Sequence, residues 1–452
     1  MAQPTEAEFL RRLPDISHHS KARFWVAYSG GLDSQVLLDL ALKTLPASSL
    51  RAIHVHHGLN AQADQWQQHC ENFCASAGIE LVCQRIHPAL DRSSLEQEAR
   101  RARYAAFAAL LQADDFLLMA HHQDDQLETM LLHLFRGSGI KGLRGIPTSR
   151  DLPGARLLRP LLDYTREDLL AYARQHRLEW IEDSSNEDRG FDRNYLRHDI
   201  VPLIKQRWPG AARAAHRSAM LNHEADHLLG LLAQADLGMD FTMLKPKLPL
   251  GKLKTLEESR QRNTLRYWFA ALAEQYALPA PGFEELRRLV AELIPAPADA
   301  RPLITWSDSK VEVQARRYRD TLYVLKNFPA QSPSGSYALE LNNSLLLPAN
   351  LGRVRLQAAP DGLAIEAEDR LEIRFGDEAG SVKPRGRKTR TFKKIYQDYG
   401  VPPWLRQRIP LLFVNEELAA VGDLFMCADQ AAKNAENSLI LTWERADIHC
   451  GY

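Results

Sequence analysis

The sequence predicts an α/β protein: an N-terminal doubly wound parallel sheet, then a mainly helical middle domain, then a small β-rich α+β C-terminal domain. Three observations lead there. From about Phe24, short apolar runs alternate with longer amphipathic ones, the pattern of strand–helix–strand units. After about Pro202 the apolar residues recur at helical spacing over long stretches. Beyond about Pro329 the chain breaks into short β-rich runs punctuated by Gly, Pro and Asn. A chain of 452 residues is too long for one ordinary core. The expected division is residues 1–215, 216–330 and 366–452, with 331–365 as linker and strands.

In chain order, Phe24-Trp25-Val26-Ala27-Tyr28 is the first strand, and Val36, Leu37, Leu40 and Ala41 behind the glycine turn mark the first helix of the sheet domain. Arg51 to Val55 is the next strand, and the Ala/Gln-rich run through Cys70 and Cys74 the next helix. Ile79 to Ile86 is strand-like, Ser94 to Leu111 a strong helix, Phe116 to Ala120 a strand, and Asp124 to Phe135 a helix. Gly210–Leu237, Glu257–Tyr276 and Phe283–Leu293 are expected helices of the middle domain. Lys310–Gln314 and Thr321–Leu325 read as strands joined by a turn at Arg316–Arg319, and Pro329–Ser336 as a linker. In a doubly wound sheet, ligands bind outside the carboxyl ends of the strands. The residues that carry chemistry cluster there: Ser29 to Ser34, His54 to His57 and His121 to Asp125.

Composition narrows the class. With 57 Lys and Arg against 57 Asp and Glu, any nucleic-acid contact must come from a local patch rather than a global charge. The five cysteines are few and scattered, which fits a reducing compartment and argues against a disulfide scaffold. No apolar run approaches the ~20 residues of a membrane span, and the N-terminus lacks the apolar core of an export signal. A cytoplasmic protein with no membrane association is expected. A homodimer is left open.

Ser29-Gly30-Gly31-Leu32-Asp33-Ser34 lies between an apolar strand and an apolar helix. The glycines let the backbone approach a phosphate closely, and the following helix offers unpaired N–H groups and the positive end of its dipole. Ser29 and Ser34 add hydroxyls. The Gly-Lys-Ser/Thr ending of a Walker loop is missing. An Asp beside phosphates makes sense with magnesium between them. The ordinary alternative is a glycine turn with an Asp at a helix start, but the full hexapeptide in that setting favours phosphate binding. It resembles the signature of the PP-loop ATP pyrophosphatases, adenine nucleotide α-hydrolase-like enzymes. The resemblance implies cleavage of ATP between the α and β phosphates and transfer of AMP to a carbonyl-type oxygen.

Further clusters follow in order. His121-His122-Gln123-Asp124-Asp125-Gln126-Leu127-Glu128-Thr129 opens a helix, with Glu128 three and four residues from Asp125 and Asp124, so the carboxylates share one side. Acidic residues at a helix N-terminus are commonplace, but a His pair with three carboxylates at a sheet mouth is not. Arg100, Arg103 and Phe107 lie on neighbouring helix faces; alone they read as a solvated charged helix. Arg136-Gly137-Ser138-Gly139, Arg159-Pro160-Leu161-Leu162 and Asp183…Asn186…Arg193-Asn194…Arg197 come next.

Together with His54-Val55-His56-His57-Gly58-Leu59 and the Glu96…Ala99-Arg100…Arg103-Tyr104 helix, these resemble the tRNA(Ile)-lysidine synthetase family over roughly residues 23–203. His56 stands where many relatives carry Asp or Asn. Residues 385–413, with Gly400-Val401-Pro402-Pro403-Trp404 and Pro410-Leu411-Leu412-Phe413, resemble that family's C-terminal domain. The resemblance implies conversion of the wobble cytidine of an isoleucine tRNA to lysidine, with ATP and free L-lysine. Ser29, Gly30, Gly31, Leu32, Asp33 and Ser34 would hold the pyrophosphate, with Asp33 placing Mg2+. Asp125 and Glu128 would orient the lysine ammonium, His122 would lie near the reacting centre, and Arg100 would neutralise a phosphate or the lysine carboxylate. For the RNA, Arg193 and Arg197 are expected contacts. So are Lys383, Arg385, Arg387, Lys388, Arg390, Lys393 and Lys394, a run with no acidic residue in it. A tRNA thiolase, a small-molecule amide synthetase and a catalytically silent tRNA-binding protein are the alternatives. The first needs paired cysteines, the second leaves the basic run unexplained, and the third leaves the intact loop without a purpose.

Overall fold

The fold is described from a computed structural model of the chain. It covers residues 3–14, 22–56, 58, 62–86, 95–182, 188–238, 244–297, 300–329, 331–376, 380–427 and 438–445. His57, Leu59, the Asp183–Asn186 stretch, Cys450 and the side chain of Glu96 lie outside the described residues. Two compact units divide the chain, residues 1–228 and 229–452.

In the first unit, α1 (Glu6–Arg11) precedes β1 (Phe24–Ala27), α2 (Leu32–Thr44), β2 (Leu50–His56), α3 (Ala63–Ala77) and β3 (Glu80–Arg85). Next come α4 (Leu95–Leu110), β4 (Asp115–Leu118), α5 (Gln123–Phe135) and α6 (Ile140–Leu143). The hairpin β5 (Ser149–Leu152) and β6 (Ala155–Leu158) leads to α7 (Arg166–Gln175), α8 (Asp192–Tyr195), a π-helical turn at Leu196–Ile200, α9 (Val201–Arg207) and α10 (Ala211–Leu237), which runs on into the second unit. The sheet order is β3-β2-β1-β4-β6-β5, parallel except for the edge strand β5. Alternation along β1 shows why both faces are covered. Phe24 and Val26 pack with Val36, Leu37 and Leu40 of α2, while Trp25 packs with Phe107 of α4 and with Leu117. The strand order reverses at β1, which pairs with β2 on one side and β4 on the other. A crevice opens outside the strand ends at such a switch point.

The second unit has its own cores. β7 (Lys247–Pro249), α11 (Gly251–Lys254), α12 (Glu258–Tyr276), α13 (Phe283–Arg288), β8 (Leu303–Ser307), β9 (Glu312–Tyr318) and β10 (Thr321–Lys326) build a helical layer on an antiparallel sheet of order β7-β10-β9-β8. Trp268 and Phe269 of α12 pack against Trp306 there. One expectation is corrected: Arg316–Arg319 is not the turn. β9 runs through Tyr318 and the chain reverses at Arg319 and Asp320, with Arg319 at φ 54°. Arg317 holds the strand in place, because its buried guanidinium donates to the carbonyls of Leu293 and Ile294 at 3.2 and 2.7 Å.

The rest is mostly strand: β11 (Ser336–Ala338), β12 (Ser344–Leu346), β13 (Arg353–Ala364), β14 (Leu371–Arg374), β15 (Ser381–Val382) and β16 (Arg390–Thr391). The helices α14 (Phe392–Asp398) and α15 (Pro403–Arg406) precede β17 (Leu411–Val414), β18 (Glu417–Val421), β19 (Phe425–Met426) and β20 (Ser438–Glu444). These strands and α14 enclose one core around Ile373, Leu412, Tyr396 and Val421. The expected fold class is the one observed.

Candidate active site

The loop after β1 turns on Gly30 at φ 81°, and Gly31 is the N-cap of α2. The Ser29 amide donates to the Ser34 hydroxyl at 3.2 Å, and that hydroxyl donates to the Gly31 carbonyl at 2.9 Å. The loop is therefore shaped by its own serines before any ligand arrives. Leu32 is buried beneath it. The Ile181 amide donates to the Gly30 carbonyl at 2.9 Å, which brings the segment leading to Glu182 against the turn. One carboxylate oxygen of Asp33, Oδ1, is buried with no hydrogen-bond partner among the described residues. An unpaired buried carboxylate oxygen beside a phosphate-binding turn fits a magnesium ion shared with substrate phosphates, which asks for only one or two protein carboxylates.

β4 delivers the second cluster beside the first. His122 is the N-cap of α5, and its amide donates to Asp125 Oδ2 at 3.0 Å. Its imidazole, 1% exposed, has Nε2 at 3.4 Å from Asp33 Oδ2 and 3.5 Å from Asp125 Oδ2, and Nδ1 at 3.8 Å from Asp124 Oδ2. Burial alone would push this imidazole down. The charges of Asp125 and Asp33, with a hydrogen bond to Asp33 and the charge of Asp124, raise it to about 9. Its neighbour shares the charge of Asp125, which also raises it, but has arginines in place of the other carboxylates. Burial pushes His121 down to about 3, with Arg159, Arg193 and Arg100 also opposing a positive charge, and its Nδ1 accepts from Arg159 Nε at 3.2 Å. Of two adjacent histidines, one is cationic at neutral pH and the other neutral.

The carboxylates on α5 are paired from downstream. Arg193 on α8 donates to Asp125 Oδ1 at 2.8 Å and to Glu128 Oε2 at 2.9 Å. Arg197 on the π turn donates to Glu128 Oε1 at 2.7 Å, Glu128 Oε2 at 2.9 Å and Asp125 Oδ1 at 3.0 Å. Lys205 on α9 bridges Asp124 and Glu167. Burial pushes Asp125 up, but His122, Arg193, His121 and Arg197 overcome it and hold the carboxyl far below its usual range. Asp33, Asp124, Asp125 and Glu128 thus face His122, Arg193, Arg197 and Lys205, a nearly neutral site of alternating charge at the strand ends.

Because the imidazolium depends on folding, it makes stability pH-dependent. The folded value of His122, about 9, lies above the unfolded value of 6.5. Its contribution is complete below pH 6.5 and is lost as pH rises through 9. Denaturant unfolding of the ligand-free protein is expected to show falling stability across that window, with the fall flattened in His122→Gln. Equal losses in the two proteins would remove the buried imidazolium.

Three family models match the chain in order: the PP-loop domain over residues 3–204, the TilS substrate binding domain over 248–323, and the TilS substrate C-terminal domain over 371–443. The tRNA(Ile)-lysidine synthase of Shigella flexneri is 40% identical over 424 residues, covering 93% of this chain and 96% of that protein. The Photorhabdus laumondii enzyme of the same name is 37% identical over 451 residues, covering 98% and 99%. The Legionella pneumophila (strain Paris) one is 37% identical over 407 residues, covering 88% and 92%. This chain belongs to the tRNA(Ile)-lysidine synthase family. It is accordingly a ligase that uses ATP through a PP-loop.

Within this member of the family, the sequence-predicted residues fall into four groups, the basic run being the last. Ser29 to Ser34, His122, Asp125 and Glu128 converge. Arg193 and Arg197, expected at RNA phosphates, engage Asp125 and Glu128; their i, i+4 spacing, which puts both on one helix face, is the sequence signal for that shared role. Arg100 is exposed and lies 5.1 Å over the ring of Tyr104. Its field acts on His121 and on Arg159. Lys205 and Arg159 were given no role by the sequence, and nothing local to either marks its partner.

Three cysteines and two histidines near the strand ends have structural surroundings. Burial pushes the Cys70 thiol far up, Cys74 to about 12 and Cys83 to about 11, so none is a ready thiolate. His54 Nδ1 lies 3.0 Å from the Tyr28 carbonyl, and His56 Nε2 lies 3.3 Å from Asp64.

The predicted basic run of this family member surrounds β15, β16 and α14. All seven of its residues are exposed. Arg385 pairs with Asp361 at 3.3 Å and Arg390 with Asp398 at 2.7 Å. Arg387 lies 5.0 Å over the ring of Tyr399. Arg387, Lys388 and Arg390 line a cleft of about 300 Å³ with Asp398 and Tyr399.

Proposed function

We propose that this enzyme ligates L-lysine to C2 of the wobble cytidine of an isoleucine tRNA with a CAU anticodon, changing its decoding from AUG to AUA. The observation that carries the reading is the meeting of the phosphate loop and the charge-balanced carboxylate cluster at one switch point, in a chain belonging to this family. The cytosine O2 is a poor leaving group. It first attacks the α phosphate of ATP, giving an adenylated cytidine and pyrophosphate. The ε-amine of lysine then attacks C2, the C2–O bond breaks, and AMP departs with the oxygen.

The loop amides and the Ser29 and Ser34 hydroxyls bind and orient the phosphates. Asp33 would hold Mg2+, which supplies charge neutralisation for the departing pyrophosphate. The cationic His122, against Asp33, adds positive charge where the phosphates meet the cluster. Free lysine has an amine pKa of ~10.4, so only about one molecule in a thousand is nucleophilic at pH 7. Glu128 and Asp125 orient the ammonium and favour its approach. Asp125 lies too far below the usual carboxylate range to take a proton readily. Glu128 accepts three hydrogen bonds from the two arginines, out of roughly four that a carboxylate can accept. One acceptor position remains for the lysine ammonium, and we assign Glu128 the deprotonation.

Labelled lysine, ATP and an isoleucine tRNA transcript should give label in the tRNA with release of AMP and pyrophosphate. A competent transcript that stays unlabelled would overturn the reading. The exposed basic run would hold phosphates of the tRNA body. Charge reversal at Arg387 and Lys388 should weaken tRNA binding and lower its log–log salt slope by about one for each phosphate no longer neutralised. An unchanged slope would count against that placement.

A further inference from the structure

A second basic feature lies on the sheet of the middle region. Arg301, Pro302, Arg316, Pro403 and Trp404 line a cleft of about 160 Å³. That is below the ~300 Å³ typical of whole small-molecule sites and suits one phosphate group. The strand register puts Arg316 of β9 beside Leu303 of β8 on one side and Tyr323 of β10 on the other. The rings of Tyr323 and Tyr318 pack edge-on against Trp404, at 5.6 and 6.4 Å between centroids. The Arg316 guanidinium stands 5.4 Å over Trp404 and 5.3 Å over Phe328.

What distinguishes this arginine is what it lacks. Its hydrogen bonds among the described residues, at 3.1 and 2.8 Å, both go to the neutral Gln314 side chain, and no carboxylate among those residues pairs with it. It is only half-exposed, and burial pushes its guanidinium down with no anion to offset it. A partly buried cation normally has an anion beside it. Arg301 at the rim is exposed, and the Trp404 indole N–H is buried with no acceptor among the described residues. The cleft has donors in excess and no acidic wall.

We infer that Arg316 and Arg301, backed by the Trp404 ring, form a phosphate-binding site for an RNA phosphodiester, separate from the basic run at residues 383–394. The inference rests on the tRNA substrate proposed above. A planar guanidinium held between aromatic rings offers its edge in a fixed fork, the geometry that suits phosphate oxygens.

The test uses the full-length protein and the whole isoleucine tRNA, with Arg316→Met, Arg316→Lys and Arg301→Gln. Binding is measured between 50 and 200 mM salt on the order of physiological ionic strength, together with lysine incorporation at saturating tRNA. Arg316→Met should raise the Kd for tRNA about tenfold and lower the log–log salt slope by about one, and Arg301→Gln should act in the same direction. Arg316→Lys should keep the slope while losing part of the affinity. Incorporation at saturation should stay within about twofold in all three. Equal losses in the Met and Lys variants with an unchanged slope would mean a packing role and overturn the inference. Stabilisation of the wild type but not Arg316→Met by inorganic phosphate, with tRNA binding unaltered, would mean a free-anion site and overturn the RNA assignment. A wild type that binds tRNA but never incorporates lysine would instead sink the proposed function.

Discussion

Glu128→Gln should retain adenylation and lose lysine transfer by about 100-fold or more, the size expected for removal of a positioned proton acceptor. The geometry explains the separation of the two steps. Asp33, His122 and the loop serines, to which the proposed mechanism gives the phosphates, make their hydrogen bonds and ion pairs among the described residues without Glu128. The amide keeps the shape of the side chain but not its charge, so it neither attracts the ammonium nor takes its proton. Its NH2 group would also face N–H donors, since Arg193 and Arg197 present N–H groups to both oxygens of the native carboxylate. Removing one partner from a buried ion-pair network costs about 3 kcal/mol, and Asp125 still holds both arginines. The variant should therefore fold with a lowered thermal midpoint. Pyrophosphate exchange dependent on tRNA reads the first step, and single-turnover lysine incorporation reads the second. Transfer at the wild-type rate would remove Glu128 from the mechanism.

Gly30→Ala should lower kcat/KM for ATP by about 100-fold, as expected when reacting groups move by about 1 Å, and leave tRNA affinity unchanged. Two causes add. A side chain at φ 81° sits in left-handed backbone that costs roughly 1–2 kcal/mol. The new Cβ would also meet Ile181 Cδ1 at 2.8 Å and Cys70 Sγ at 3.1 Å. Relief of either clash moves the turn whose amides would bind phosphate in the proposed mechanism. Ile181→Val deletes the offending Cδ1, so the double variant should recover part of the loss while the backbone strain persists. Near-normal ATP kinetics in Gly30→Ala alone would show that the loop does not need its present shape.

These two sites differ in how far the sequence reveals them. The phosphate loop is legible because it is local: a strand, a turn that needs glycine and a helix start are contiguous, and their chemistry follows from that order. The carboxylates of α5 were legible for the same reason, since three- and four-residue spacing puts them on one side. The β5–β6 hairpin and α7 were not read, as nothing in that stretch distinguishes edge structure from loop. The turn misplaced at Arg316–Arg319 shows the limit of pattern alone. A run of arginines and tyrosines looks like a solvated turn until the carbonyls at Leu293 and Ile294 claim Arg317.

By itself the sequence determined the doubly wound sheet, the AMP-forming loop and the family, because hydrophobic period and contiguous turn chemistry are carried by neighbouring residues. The tertiary structure alone decided where the charges go. Arg193 and Arg197 reach carboxylates 65 to 72 residues away, and Arg316 is left without a carboxylate among the described residues. It also made His121 neutral and His122 cationic, although they are adjacent in the chain. The physical reason is that the state of a buried charge is set by the summed field of whatever lies within a few ångströms, and folding chooses those neighbours from far along the chain.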